Sequence, residues 1–183
     1  MHYANAWSNA LAIEALCAHA GDRILELGCG PGYALKELLA NPEIKEVIGI
    51  DHSELMLKQA RRLNRHTTES RRLNLVQCDF SALPFSAGSI DGVLAVNVAY
   101  FMRDASPVIE ARRVLRSGGR LVFYATARES MERWRFAGPQ SHRLYDDIEM
   151  TALLRDGGFK TELIQVDVVS AGFGEGLSGS GAE

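Results

Sequence analysis

The chain has 183 residues, carries a formal net charge of −3 and is 46% hydrophobic, which gives one domain with a substantial core and too little chain for two of ordinary size. It lacks the basic excess of a general nucleic-acid binder, and no apolar run approaches the roughly 20 residues that span a bilayer. Cys17, Cys29 and Cys78 are odd in number and widely spaced, which argues against a disulfide framework or a structural zinc site, so no metal is expected. The N-terminus has no basic-then-apolar leader pattern, which favours the cytoplasm.

Residues 1–22 are expected to form a short lead and one helix, with Ala10, Ile13, Leu16 and Cys17 on its apolar face and Gly21-Asp22 as its stop. His2, Tyr3, Asn5 and Trp7 precede or open that helix. They are either a loosely ordered terminus or a flap over a ligand, for which Tyr and Trp offer rigid amphipathic surface. Ile24-Leu25-Glu26-Leu27-Gly28-Cys29-Gly30-Pro31-Gly32 then reads as a short strand running into a glycine-rich turn, and YALKELLA places Leu35, Leu38 and Leu39 on one helical face. Strand, glycine turn and helix open a nucleotide-binding βαβ unit, in which a ligand lies against bare backbone. A dinucleotide fingerprint would need glycines at 28, 30 and 33. Position 33 is Tyr33, and the third glycine comes one residue early, at Gly32.

Asn41-Pro42 stops the first of these helices, and VIGI at 47–50 is a buried second strand with Asp51 at its carboxyl end. An acid there can accept hydrogen bonds from both hydroxyls of a ribose, or serve as the N-terminal acid of the next helix. That helix is expected from about 54 to 64, with Leu55, Met56 and Ala60 turned inward and Arg61, Arg62, Arg65, Arg71 and Arg72 as a solvated face. LNLVQC at 73–78 is the third strand, followed by Asp79. Parallel strands deliver their carboxyl ends to one edge, so Asp51 and Asp79 share a rim. Asp79 can meet an adenine amino group there, with Phe80 offering apolar surface beside the ring. The fourth strand, at about 90–96, brings Asn97 and Tyr100 to the same rim.

Ser106-Pro107 opens a helix that buries Val108, Ile109 and Val114-Leu115 and ends at Gly118-Gly119. RLVFYA at 120–125 is the fifth strand. Residues 127–143, with Trp134, Phe136 and His142 among charges, are an excursion placed over the strand ends. Asp146 and Glu149 form a capping box for a helix that Gly157-Gly158 closes, and TELIQVDVV at 161–169 is the sixth strand. The last fourteen residues, SAGFGEGLSGSGAE, are Gly- and Ser-rich and expected to be flexible. The expectation is therefore one α/β domain over residues 1–169, a Rossmann-like, doubly wound, mostly parallel sheet with helices on both faces, followed by a flexible tail at 170–183.

ELGCGPG, GIDHSELMLKQA, CDFSALPF and ARRVLRSGGRLVFY follow one another in order. Together they resemble the class I S-adenosylmethionine-dependent methyltransferases of the broad small-molecule subgroup, over roughly residues 20–169. The resemblance implies S-adenosylmethionine bound across the strand ends, with S-adenosylhomocysteine as product. It brings Gly28, Cys29 and Gly30 to the methionyl part and Glu26 to its amino group. It gives Asp51, with His52 beside it, the ribose hydroxyls, sandwiches the adenine between Met56 and Phe80, gives Asp79 its amino group, and lines the methionyl end with Asn97. It implies a small-molecule acceptor. By their positions Tyr3, Tyr100 and His142 are the substrate-side candidates, with His142 or Tyr100 as a base if the acceptor arrives protonated; the alternatives are a surface histidine on a loop and a core tyrosine. No catalytic residue follows from the resemblance.

Two features depart from the family pattern. The sixth strand runs into the Gly/Ser tail, so the usual antiparallel seventh strand is expected to be missing unless the tail folds back around Phe173 and Leu177. A missing strand would leave an edge through which two copies could pair as a homodimer. NVAYF stands where nucleic-acid amino methyltransferases carry N/D-P-P-[YF], which argues against a DNA substrate. The alternatives are a nicotinamide-dependent oxidoreductase, which Tyr33 opposes, and a non-catalytic S-adenosylmethionine-binding module.

Overall fold

Runs such as Ile24-Leu25 and Val47-Ile48 supply apolar side chains to both faces of a strand. Such runs belong in a parallel sheet that is covered on both sides. The computed structural model describes residues 2–65, 72–132, 142–171 and 174–182, with side chains described for 6–65, 72–132 and 142–169. Trp134, Phe136, Arg71 and Phe173, named above, lie outside the described residues.

The strands are β1 (Arg23–Leu27), β2 (Glu46–Asp51), β3 (Leu73–Gln77), β4 (Ile90–Val96), β5 (Leu115–Thr126), β6 (Ile164–Ala171) and β7 (Gly174–Ala182). They form one seven-stranded sheet in the order β3-β2-β1-β4-β5-β7-β6. The first five are parallel, and β7 runs antiparallel to both β5 and β6. The helices are α1 (His2–Leu16), α2 (Tyr33–Ala40), α3 (Glu54–Leu63), α4 (Ser106–Val114), α5 (Arg128–Met131) and α6 (Asp147–Asp156). Successive strand residues point to opposite faces, and two cores result. Ile24, Val47 and Leu94 pack with α1, α2 and α3 on one side. Leu25, Ile48 and Val93 pack with α4, α5 and α6 on the other. The doubly wound α/β architecture is the one the sequence implies. Among the described residues no helix is long and apolar enough to cross a membrane.

Several local expectations are corrected. Helix α1 begins at His2, so the residues expected as a loose lead are helical. It ends at Leu16 before Cys17, whose φ of 48° breaks the helix ahead of Gly21. It buries Ala12 and Leu16, and Ala10 is exposed. Trp7 packs edge-on against Tyr124 with ring centroids 6.2 Å apart. In α3 the inward residues are Leu57 and Ala60, and Leu55 is 61% exposed. Helix α4 is capped by Ala105, with the Ser106 N–H donating to Asp104 Oδ1 at 2.8 Å, and it leaves Ile109 outside. Gly118-Gly119 does not end that helix. The pair falls within β5, where the register against β4 shifts between Leu115 and Arg120. The capping box of α6 forms as expected, with Asp146 and Glu149 each accepting the other's backbone N–H.

The largest correction concerns the last strand, which is present. Gly176–Ala182 pairs with Arg120–Thr126 of β5, and Gly174–Gly181 pairs with Ile164–Ala171 of β6. The expected flexible tail and missing strand followed from composition, since glycine has low strand propensity. Here β7 is an interior strand whose N–H and C=O groups are ladder-paired on both sides, and backbone pairing needs no side chain. The sheet therefore ends on β6 at this side and on β3 at the other. A chain ending at residue 171 would strip the ladders from both β5 and β6, and its thermal midpoint is expected to fall by about 5 °C or more in a circular-dichroism melt. An unchanged midpoint would mean that residues 174–182 contribute nothing to the fold.

Candidate active site

The register sets Leu27 beside Ile50 and Ala95, and Asp51 beside Gln77. Parallel strands in this register deliver Gly28, Asp51, Asp79 and Asn97 to one edge of the sheet. At the crossing point between β1 and β4 the strand order reverses, the place where open α/β sheets bind ligands.

The turn after β1 is built on positive φ. Gly28 has φ 65°, and a Cβ on it would stand 2.5 Å from Val98 Cγ2 and 3.3 Å from Phe80 Cζ. The chain after β4 therefore closes on bare backbone. Gly32 caps α2 at φ 86°, where a Cβ would meet Asn64 Nδ2 at 2.8 Å and Ala60 Cβ at 2.9 Å. The third glycine thus serves helix packing: α3 approaches the turn, and Asn64 Nδ2 donates to Gly32 O at 3.1 Å. Between them the Cys29 N–H donates to Ile50 O at 2.9 Å. The Cys29 thiol is buried, and burial together with the neighbouring Glu26 and Asp51 pushes its pKa upward. It is a packing group, since reactivity needs the thiolate.

Asp51 is 6% exposed. Its Oδ2 accepts the Gly30 N–H at 2.9 Å and its Oδ1 the Ser53 N–H at 2.8 Å. Each carboxylate oxygen keeps a second lone pair for another donor. His52 lies beside it, with Nδ1 3.6 Å from Asp51 Oδ1 and its ring mostly in solvent. Glu26 is 4% exposed within β1, and its Oε2 has no hydrogen-bond partner among the described residues. Burial first, then the charges of Asp51 and Glu37, raise its pKa to about 8. A buried orphan oxygen beside a second carboxylate is a costly arrangement. A bound cation with N–H donors would relieve it. That requirement fits the ammonium end of a methionyl group, and the bare turn fits the chain that follows it.

Asp79 is exposed, and its Oδ1 accepts the Ser81 N–H at 2.8 Å and the Ser81 hydroxyl at 2.5 Å. Those bonds, with His52 and Arg103 nearby, hold its carboxyl below the usual range. Phe80 is half-buried, as is Met56, whose N–H donates to the Ser53 hydroxyl at 3.4 Å. A cleft of about 610 Å³ opens beside Phe80, walled by His52, Asp79, Phe101 and Arg103. Asn97 has φ 53°, and its N–H donates to Tyr124 O at 2.8 Å.

Tyr100 departs from the base role considered for it. It is 6% exposed, its hydroxyl donates to Asn97 Oδ1 at 3.0 Å and accepts the Thr126 N–H, and burial raises its pKa to about 12. His142 lies at the rim, its ring 5.2 Å from Phe101 and 6.0 Å from Tyr100 by centroids. Tyr3 is in the first turn of α1, with its side chain outside the described residues. Sequence reasoning missed Ser53, Val98, Phe101 and Thr126. Ser53 was legible as a helix cap. The others gain their roles from contacts distant in sequence, and the sequence carries no local mark of them. Among the described residues no group of three or more His, Cys, Asp or Glu side chains is arranged to hold a metal.

A family model described as a methyltransferase domain matches residues 25–123. Over 112 residues the chain is 43% identical to an uncharacterised 37.1 kDa protein of transposon TN4556 from Streptomyces fradiae, covering 60% of this chain and 32% of that protein. Over 125 residues it is 34% identical to the malonyl-[acyl-carrier protein] O-methyltransferase of Legionella pneumophila, covering 66% of this chain and 43% of the relative. The chain thus spans less than half the length of these two curated relatives. The fold is shared with phosphoethanolamine N-methyltransferase 2 of Haemonchus contortus in complex with S-adenosyl-L-methionine, at a TM-score of 0.72 and 20% identity over 88% of this chain and 38% of that one. With the glycine turn, the acids at the ends of β2 and β3 and the matched family model together, the chain belongs to the class I S-adenosylmethionine-dependent methyltransferases, and S-adenosylmethionine is the cofactor of its domain.

Proposed function

We propose that this domain transfers the methyl group of S-adenosylmethionine to a small-molecule acceptor. The observation that carries the cofactor half is the buried Glu26 carboxyl, with its Oε2 unpartnered among the described residues, beside the bare Gly28 turn and the Asp51 carboxylate. The acceptor half is supported by NVAYF after the fourth strand and by a net charge of −3, both of which disfavour a polyanionic substrate.

When bound, S-adenosylmethionine supplies an electrophilic methyl group on a sulfonium, and the protein's task is binding and orientation. In this reading Glu26 would release its carboxyl proton to solvent and accept a hydrogen bond from the cofactor's ammonium. Gly28, Cys29 and Gly30 offer backbone to the methionyl chain, and Asn97 lines its far side. Asp51 accepts the ribose hydroxyls with His52 at its flank. Met56 and Phe80 hold the adenine from its two faces, and Asp79 accepts from its amino group. Phe101 and His142 form the acceptor side, where His142 is the group able to take a proton from an acceptor that arrives protonated. The Tyr100 hydroxyl is already committed and takes no part in proton transfer.

Calorimetric titration is expected to give saturable binding of S-adenosylhomocysteine and no signal with NAD; the opposite pattern would overturn the proposal. Asp51→Ala is expected to weaken S-adenosylhomocysteine by a factor of about 100 or more, because two hydrogen bonds to a charged group are worth roughly 1.5–3 kcal/mol each. Asp79→Ala removes one bond at an exposed position, and its effect is expected to be about tenfold or less. Equal and negligible effects of both would show the rim to be misassigned.

A pH dependence follows from Glu26. Its folded-state pKa of about 8 lies above the unfolded value of 4.5, so between these limits the native state holds a proton that the unfolded chain has shed. Stability from this group is therefore complete below the unfolded pKa and is lost as pH rises through the folded one. Thermal midpoints of Glu26→Gln are expected to fall less than those of the wild type across that window. S-adenosylhomocysteine affinity is expected to run the other way, rising as Glu26 ionises, and to lose that rise in Glu26→Gln. Parallel pH profiles for both proteins would remove Glu26 from the site.

A further inference from the structure

Asn97 holds a left-handed conformation, φ 53°, at the first position after β4. Such a conformation is uncommon for a residue with a side chain and is tolerated better by Asn than by most. The next residue, Val98, is the one whose Cγ2 fills the space a Cβ on Gly28 would need, 2.5 Å away. The course of the chain through 97–98 therefore sets one wall of the glycine turn.

A small hydrogen-bond set surrounds the Asn97 side chain. Oδ1 accepts the Tyr100 hydroxyl at 3.0 Å and the Thr126 hydroxyl at 3.4 Å. The Thr126 N–H can only donate, so at that bond the Tyr100 oxygen accepts. The phenol's own proton is then available to Asn97 Oδ1 at 3.0 Å or to the Thr126 carbonyl at 3.4 Å, and the nearer acceptor is Asn97. This accounting identifies the amide oxygen as the atom facing Tyr100. At 6% exposure, Tyr100 has little access to water that could replace these partners. The Arg143 N–H also donates to Tyr100 O at 3.0 Å, which ties the residue to the chain entering α6.

From this arrangement we infer that Tyr100, seconded by Thr126, is a positioning residue that locks the left-handed conformation and amide orientation of Asn97 and thereby shapes the cofactor cleft. The inference rests on the S-adenosylmethionine reading of that cleft. It gives Tyr100 a role distinct from proton transfer: the phenol reads out through cofactor affinity, by way of Asn97.

The test is a double-mutant cycle read by S-adenosylhomocysteine titration. Tyr100→Phe keeps the ring and removes the hydroxyl, and is expected to weaken S-adenosylhomocysteine about tenfold, the equivalent of one hydrogen bond. Asn97→Gly supplies a residue that adopts positive φ without help. In that background Tyr100→Phe is expected to change affinity by less than about twofold, the limit within which independent effects add. A purely structural role would weaken binding equally in both backgrounds, and that result would overturn the inference. So would an unchanged affinity in Tyr100→Phe alone. Should Tyr100→Phe not fold, Thr126→Val removes the second donor to Asn97 Oδ1 and leaves the backbone N–H. It is expected to show a smaller loss with the same dependence on Asn97, and a loss independent of Asn97 would count against the inference. Failure of the wild type to bind S-adenosylhomocysteine would overturn the cofactor reading and the inference together, whereas wild-type binding with additive variants overturns the inference alone.

Discussion

One carboxylate joins the two turns on which the site is built. Asp51 receives the Gly30 N–H on one oxygen and the Ser53 N–H on the other, so the glycine turn after β1 and the start of α3 after β2 are fixed relative to each other. Charge-assisted bonds of this kind are the stronger ones. The arrangement also sets a constraint on Glu26, which lies close enough for the Asp51 charge to oppose its ionisation. Two buried acids share the rim, and burial together with the Asp51 charge holds the Glu26 carboxyl well above the usual carboxylate range.

Legibility in the sequence followed burial. Strands β1, β2 and β4 lie between two helical layers, so their sequences are nearly continuous apolar runs and were readable within a residue or so. Asp51 and Asp79 were readable because strand direction alone assigns their edge. Phase was harder: on α3 a shift of two positions, from Leu55 to Leu57, separates exposed from buried. A helix that is polar along most of its surface gives few residues from which to fix its rotation. Tyr100 could not be placed from sequence, because a tyrosine among apolar neighbours suits a core ring and a site hydroxyl equally well. Its partner Thr126 is 26 residues away, at the end of β5. The last strand was illegible for a different reason, since its stability comes from main-chain pairing and its side chains carry little of the signal.

The division of labour along the chain is uneven. The residues proposed for the cofactor run from Glu26 to Asn97, all within the stretch matched by the methyltransferase-domain model, 25–123. Those proposed for the acceptor side, Phe101 and His142, come from the turn after β4 and from the chain before α6. They come together only through the fold.

The pairing of β7 also has a consequence in time. The rim carrying Glu26, Asp51, Asp79 and Asn97 can be assembled from chain that leaves the ribosome early. By contrast, Arg120–Thr126 of β5 find their antiparallel partners only in Gly176–Ala182. Throughout the interval β5 is a sheet edge with unsatisfied backbone groups, the kind of surface that pairs with whatever strand is at hand. A nascent chain of this protein therefore carries an open β5 edge until residues 174–182 have emerged to pair with it.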